Sequence, residues 1–489
     1  MKDYNAKNTC WNCPLFKFKG GVDFRACGQS TGELEDNEAF NMGECTRHPE
    51  YGMYSPSDYT FESCPEWEEH EYGYKLKKMK VMILGIDGYL GWTLALWLGS
   101  MGYEVSGIDN YSRRNWVKEK GSHTVVPITR MTKRLKKAKE VLGININFRE
   151  IDLLNRNKLR EFLEEVRPDA IVHYAENPSA PYSMVDDDHA VFVQTNNVTG
   201  TLRLLFAMRD IVPNASLIKL GTMGEYGTPL TGRPIFEGLF PGDAVLKWGD
   251  KEWSLGGELT PRDPVSFYHV SKVQDTFNVY EACKYWWLRS YDIMQGVIYG
   301  VHIPAFEEDD DLRTRLDVDE WFGTVINRFV AQTIVGIPMT IYGSGHQRRG
   351  FLALSDAMQC MTRLINNPPA PGVYDVVNQL SGIYSLMELA QTVGKIGKEE
   401  FGLNPRIQRL ENPRVEADEH PYQVEYKNLP ERFGFEPKVK LEEEIYRMFE
   451  LLTKPNIKQR IEEKKHVILP KTHWSGEKRE AKVIEVIDF

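Results

Sequence analysis

The sequence predicts an α/β protein: a doubly wound parallel sheet, a smaller C-terminal lobe, and a small Cys-rich module in front. Three observations carry this reading. From Lys80 onward, short apolar β-branched runs alternate with helical stretches, the pattern of strands buried on both faces by crossover helices. Three glycines, Gly85, Gly88 and Gly91, fall between the first of these strands and the first helix. Five of the seven cysteines lie in the first 64 residues.

The bulk numbers bound the rest. A chain of 489 residues has the length of two or three domains, and 42% hydrophobic with 27% charged residues is ordinary for a globular protein. A net charge of −10 argues against nucleic acid or an anionic membrane as the partner. A phosphorylated substrate stays open, because local arginine clusters decide that. No stretch approaches the roughly 20 apolar residues that cross a bilayer. The first residues lack the apolar core of a signal peptide. The expected location is therefore cytoplasmic, and the sequons at Asn197 and Asn214 are read as chance.

Residues 1–72 show no sustained period and read as a loop-rich module that needs a staple. Lys75, Lys77 and Lys78 form a basic linker. KVMILG is then a buried strand, Leu90–Met101 a helix, and YEVSGID the second strand. A basic helix over 130–141 leads to a third strand, INFREID. Residues 155–166 form a helix closed by Pro168, and 169–175 a strand. A long helix over 189–210 precedes a strand at 216–222, and a helix over 266–286 precedes a strand running through 290–300. Residues 79–300 thus form one domain. Beyond it the elements shorten: a helix at 320–335, a strand at 339–343 and a helix at 356–364. Residues 301–455 read as a substrate-binding lobe and 456–489 as a charged surface tail. Cys283 and Cys360 lie in apolar helical patterns and read as buried hydrophobes.

The loop Gly85-Ile86-Asp87-Gly88-Tyr89-Leu90-Gly91 has the spacing G-x-x-G-x-x-G in strand–turn–helix context. It meets the needs of a dinucleotide site: a tight turn, close approach to pyrophosphate, and a helix N-terminus facing the phosphates. Gly85, Asp87, Gly88, Tyr89, Leu90 and Gly91 are therefore expected at the cofactor. Asp109, ending the second strand, can bond the ribose hydroxyls, with Asn110 beside it, which favours NAD. Arg113 and Arg114 stand close enough to take a 2′-phosphate instead. Asp152 and Leu153 follow the third strand and are placed at the adenine, Asp152 reading equally well as a helix cap. Tyr174 completes the expected cofactor set, making 79–300 an NAD-binding Rossmann-type domain.

Tyr268 and Lys272 give Tyr-x-x-x-Lys within a helix, and the i, i+4 spacing puts both on one face. A nearby ammonium is expected to lower the phenol pKa, so that Tyr268 takes a proton from a sugar hydroxyl as hydride leaves. Thr222, at a strand end, can bond the same oxygen. With the glycine loop, this set resembles the extended short-chain dehydrogenase/reductase family. That resemblance implies a bound nicotinamide and often a nucleotide-sugar substrate.

Longer stretches are similar to the UDP-sulfoquinovose synthase family: GIDGYLGWTLALWL, SAPYSM, NNVTGT, KLGTMGEYGTP, SFYHVSK, RTRLD, FGTVINRF, NPRVEADEH and ILPKTHW. They span about residue 80 to 475. The resemblance implies that UDP-glucose and sulfite become UDP-sulfoquinovose, with NAD held through the cycle. Oxidation at carbon 4 acidifies the proton on carbon 5, and loss of that proton and the carbon-6 hydroxyl gives a 4-keto-5-ene. Sulfite adds at carbon 6 and hydride returns to carbon 4. Sugar-nucleotide 4,6-dehydratases carry an Asp-Glu pair where this chain has Met223 and Gly224, which disfavours a plain dehydratase. Glu225 or His269 is then expected to move the carbon-5 and carbon-6 protons. A structural hydrogen-bonding acid is an equal reading for Glu225, and a packed helix side chain a lesser one for His269. Arg349 and Arg414 are expected on the diphosphate as bidentate donors. Ser179, Asn197, Gln295, Arg315 and His420 complete the expected substrate pocket. Two departures leave the nucleophile or the sugar free to differ: Pro178 where plant and cyanobacterial members carry Arg, and Met294 where they carry Asn. The rival readings are another UDP-sugar epimerase or dehydratase, and a non-catalytic nucleotide sensor. A homodimer is expected.

Cys10-x-x-Cys13, with Cys27, Cys45, Cys64 and His48, resembles the small Cys-rich modules found as subunits of some glycyl-radical enzymes. That resemblance implies Cys10, Cys13, Cys45 and Cys64 as metal ligands, with Cys27 spare. Thiolates suit zinc and an iron–sulfur cluster equally.

Overall fold

The computed structural model describes residues 79–227, 233–412, 422–469 and 481–489. Of residues 1–78 it describes the backbone of three short antiparallel strands, Phe16–Phe18, Gly43–Cys45 and Met53–Tyr54. Cys45 is placed in the middle strand of that small sheet. Cys10, Cys13 and Cys64 lie outside the described residues, as do Arg414 and His420. Residues 1–78 and 79–489 are separate compact units.

The second unit is built on seven parallel strands: β1 (Lys80–Leu84), β2 (Glu104–Asp109), β3 (Ile146–Glu150), β4 (Ala170–His173), β5 (Ser216–Thr222), β6 (Arg289–Gln295) and β7 (Tyr374–Gln379). Their spatial order is β7-β6-β5-β4-β1-β2-β3. Both faces of β1 are buried, which explains its unbroken apolar run. Val81 and Ile83 enter one core and Met82 and Leu84 the other. Each such side chain contributes ~1.5–3 kcal/mol on full burial. The chain runs outward from β1 to β3 and returns on the other side as β4. This reversal opens a crevice at the carboxyl ends of the strands. Helices α1 (Tyr89–Ser100) and α2 (Phe267–Trp286) carry the glycine loop and the Tyr-x-x-x-Lys motif.

Four elements differ from expectation, each for a local reason. The helix expected over 189–210 runs from Asp187 to Ile211 but widens into a π-turn at Thr195–Thr199. There Asn197 turns inward and bonds Asn177 and Ser271. The helix expected at 320–335 spans only Val325–Ile334, because Asp319 accepts from the Trp321 and Phe322 amides and makes a turn instead. The single strand expected through 290–300 divides at Gly296, where a Cβ would lie 2.7 Å from the Gly350 carbonyl oxygen. Before it β6 stays in the large sheet; after it Val297–Tyr299 pairs with Arg348–Ala353. Where a charged surface tail is expected over 456–489, the described residues 456–469 contribute to the core, and the strand in 481–489 is paired though largely exposed. Ile457, Ile461 and Ile468 are buried, and Val483–Asp488 pairs antiparallel with Arg406–Leu410.

The segment after residue 300 is likewise tied to the sheet. β7 pairs with β6, and helix Leu354–Asn366 packs against α1. Cys283 and Cys360 are buried, as expected. Among the described residues, no helix is long and apolar enough to cross a membrane.

Candidate active site

A cavity of about 540 Å³ opens at the switch point, lined by residues that follow β1, β4, β5 and β6. The glycine loop forms its floor. Gly85 has φ +82°, and a Cβ there would lie 2.8 Å from the Tyr174 carbonyl. A Cβ on Gly91 would lie 2.2 Å from the Gly85 oxygen, so α1 can start this close to β1 only with glycine there. Gly88 caps α1 with no side-chain bond, leaving the first helical N–H groups for phosphate oxygens. Gly85, Gly88, Tyr89, Leu90 and Gly91 all line the cavity. So do Asn110, Asp152, Leu153 and Tyr174. Asp152 lines the cavity but does not cap the next helix: its carboxylate accepts from the Leu154 amide in the preceding turn, and Asn155 caps Arg156–Val166.

Asp109 lines the cavity at the end of β2, accepting from the Asp87 and Tyr111 amides at 2.9 and 2.7 Å. Burial, reinforced by Asp87, pushes its carboxyl up to about 6. Asp87 itself does not face the cofactor, contrary to expectation. Its carboxylate is buried against Arg114 at 2.6 Å and Arg134 at 2.8 Å. The Arg134 guanidinium stacks on Trp92, 4.0 Å from the ring centroid. Arg113 lines the cavity but is paired with Asp317 at 2.8 Å and lies over the Phe322 ring. Both arginines that could take a 2′-phosphate are thus committed to carboxylates, while Asp109 stands where that phosphate would go. The residues fit NAD and disfavour NADP.

Thr222, Tyr268, His269 and Lys272 line the same cavity. The Tyr268 phenol hydrogen-bonds Thr222. Lys272 Nζ donates to the Leu220 carbonyl at 2.5 Å, touches the Glu176 carboxylate, and lies 5.9 Å from the Tyr268 ring centroid. The expected lowering of the phenol pKa is overturned. Burial pushes it up, the charge of Glu225 adds to this, and the Thr222 bond opposes both. Burial also brings the Lys272 ammonium down to about 8.

His269 is held by Ser266, whose hydroxyl caps α2 and lies 2.9 Å from Nδ1. Its ring centroid is 5.0 Å from that of Tyr268. A Cβ on Gly224 would lie 2.2 Å from His269 Nε2, so this glycine makes room for the imidazole. Glu225 is fully buried and lies off the cavity. It accepts from the Thr222 amide, Lys219 and Thr276, and closes a capping box with Thr222.

Of the other expected substrate residues, Ser179, Gln295 and Arg349 line the cavity. Asn197 is buried in the π-turn, and Arg315 is buried against Asp317; neither lines it. Sequence reasoning missed Glu176, Arg328 and Gln347, which do. Glu176 left one signal, a carboxylate just past the end of β4.

Fold and site together define a class. The profile of the NAD dependent epimerase/dehydratase family matches residues 81–378, and the chain belongs to that family. Within it the chain stands with the UDP-sulfoquinovose synthases. It is 45% identical to the UDP-sulfoquinovose synthase of Sulfolobus acidocaldarius over 396 residues, 81% of this chain and 98% of that one. It is 39% identical to the chloroplastic UDP-sulfoquinovose synthase of Spinacia oleracea over 360 residues, 74% of this chain and 72% of that one. The fold matches UDP-glucose 4-epimerase from Thermotoga maritima with a TM-score of 0.56 at 19% identity, covering 77% of this chain and 99% of that one.

Proposed function

We propose that this chain converts UDP-glucose and sulfite into UDP-sulfoquinovose. The observation that carries this reading is the imidazole of His269, seated beside Tyr268 in the space that Gly224 leaves. It puts a proton carrier where a 4,6-dehydratase would hold its acid. NAD, which Gly85, Gly88, Gly91 and Asp109 would hold, would supply the acceptor and later the donor of hydride. As hydride departs, Tyr268 takes the proton of the carbon-4 hydroxyl as a phenolate, a form that burial and Glu225 disfavour and that the positive nicotinamide ring of bound NAD, with Lys272 alongside, would restore; Thr222 bonds the same oxygen. The ketone acidifies carbon 5. His269 takes that proton and delivers it to the departing carbon-6 hydroxyl, which leaves as water. Bisulfite then forms a carbon–sulfur bond at carbon 6, its proton goes to carbon 5, and hydride returns to carbon 4 as Tyr268 gives its proton back. Arg349 meets the diphosphate. Glu225 serves as a structural acid, consistent with its burial.

Incubation with UDP-glucose and sulfite, followed by mass spectrometry, tests this. The expected product is a sulfonated UDP-hexose that forms only with sulfite present. UDP-galactose formed regardless of sulfite would replace the reading with an epimerase.

The Cys-rich front holds zinc or an iron–sulfur cluster, and protein lacking zinc, iron and acid-labile sulfide would exclude it. The chain forms a homodimer through the helical rod Asp187–Ile211 and the neighbouring face of α2. Val191, Leu202, Phe206 and Phe277 are exposed along it. Asp187 and Asp188 mark one end of the rod, with Arg203 and Arg209 toward the other. An antiparallel second copy would cover the apolar stripe and bring Asp187 and Asp188 toward Arg203. Light scattering is expected to show a dimer that Phe206→Glu dissociates; a monomeric native protein excludes it.

A further inference from the structure

Behind the catalytic groups lies a buried charged cluster that the proposed chemistry does not use. Lys219, in the middle of β5, has no solvent exposure. Its ammonium donates to Thr276 Oγ1 at 3.0 Å and to the Lys272 carbonyl at 3.2 Å, both on α2. It pairs with Glu225 Oε1 at 3.3 Å, in the turn after β5, and with Asp292 Oδ1 at 3.1 Å, on β6. Glu225 Oε1 also accepts the Thr222 amide. One cation therefore bonds the turn that presents Thr222 and the helix that presents Tyr268 and Lys272. Gly221, on the same face of β5, leaves the space: a Cβ there would lie 2.6 Å from Asp292 Oδ1 and 2.9 Å from Glu225 Oε1.

The proton count shows why the cation matters. Thr276 Oγ1 lies 2.8 Å from Glu225 Oε2 and 2.6 Å from Asp292 Oδ2. A hydroxyl has one proton to donate, so it cannot satisfy both carboxylates. Tyr374 adds one donor to Asp292 at 2.9 Å. Without the ammonium, among the described residues, Asp292 would keep only hydroxyl donors and Glu225 only Arg262, at 3.9 Å, as a cation, so two buried carboxylates sharing the Thr276 hydroxyl would repel across the elements that carry them.

We propose that Lys219 is a positioning residue: its ammonium bridges Glu225 and Asp292, offsets one of their two charges while Arg262, 3.9 Å from Glu225 Oε2, faces the other, and so holds Thr222, Tyr268 and Lys272 together for proton transfer. The inference rests on the sugar-oxidising step proposed above. It assigns to Lys219 no contact with substrate or cofactor.

The test compares Lys219→Met with the double variant Lys219→Met/Asp292→Asn, which removes one of the two opposed charges. Where Lys219→Met does not fold, Lys219→Gln replaces it in both variants, keeping hydrogen bonds without the charge. Two readouts are taken on the full chain: the near-ultraviolet absorbance of reduced nicotinamide on adding UDP-glucose alone, and the KM for UDP-glucose. Loss of the charge is expected to slow reduction about a hundredfold, the scale of a misplaced proton-transfer group, with KM unchanged. The double variant is expected to recover about tenfold, because the two sites are coupled. A single variant as fast as the parent overturns the proposal. So does a folded double variant no faster than the single one. Parent protein that reduces its nicotinamide but adds no sulfite overturns the product assignment and leaves the Lys219 test standing. Parent protein that does not oxidise UDP-glucose overturns both.

Discussion

Asp109 shows how a buried carboxyl at the candidate cofactor site bears on stability. Its carboxyl is raised from the usual 3.8 to about 6, chiefly by burial. A raised carboxyl pKa means that the folded chain binds the proton more tightly than the unfolded one. Stability is therefore greatest below the usual value and falls as pH rises through that window to about 6. Asp109→Asn is expected to abolish this decline in cofactor-free protein, read as a melting temperature that no longer drops across the window. The same change should weaken NAD binding about tenfold, the scale of one charged hydrogen bond; unaltered affinity by calorimetry would remove Asp109 from the cofactor. At this scale the motif residues were legible in the sequence. Gly85, Thr222, Tyr268, His269 and Lys272 all meet at the cavity. What a sequence cannot display is which way a carboxylate or a guanidinium faces. Asp87, Glu225, Asn197 and Arg315 carry the right chemistry, but each is turned to a buried partner.

At the scale of elements, the turn after β5 and the start of α2 act as a matched pair. Ser266 fixes the helix entry, and Gly224 leaves the gap that the imidazole fills. Gly224→Ala puts a methyl group 2.2 Å from His269 Nε2, so the ring must move. The expected result is a fall in kcat of about ten- to a hundredfold, with NAD content and nicotinamide reduction by UDP-glucose retained. Loss of NAD along with activity would mean that the turn had collapsed instead. Periodicity found β1 to β6, because burial on two faces leaves a plain apolar run, but gave no element for the helices Leu386–Glu399 and Leu441–Leu452 or for β7. It missed the π-turn and the division at Gly296, since both depend on a distant backbone or side chain approaching.

At the scale of the whole molecule, the C-terminal region carries packing that its charge conceals. Ile457 and Ile461 sit four apart among Lys, Arg and Glu, so one helix stripe is buried while the composition reads as solvent-facing. Ile461→Ala is expected to destabilise the chain by about 2–5 kcal/mol, measured by denaturant unfolding; a change under about 0.5 kcal/mol, the range of surface substitutions, would show that the helix is not part of the core. The closing of the sheet by β7 was hidden for a different reason. Sequence distance gives no sign that a strand after residue 370 returns beside β6. The chain leaves the large sheet at Gly296 and again after Gln379, and the Gly296 amide bonds the Gln379 carbonyl at 2.9 Å where the two passages meet. That double passage sets a rule for making chimeras. A crossover at a single point near residue 300 would take the sheet's edge strand from one parent and its neighbour from the other. Exchange of sugar specificity between relatives has to proceed by grafting the intervening segment as an insert, with both junctions taken from the same parent.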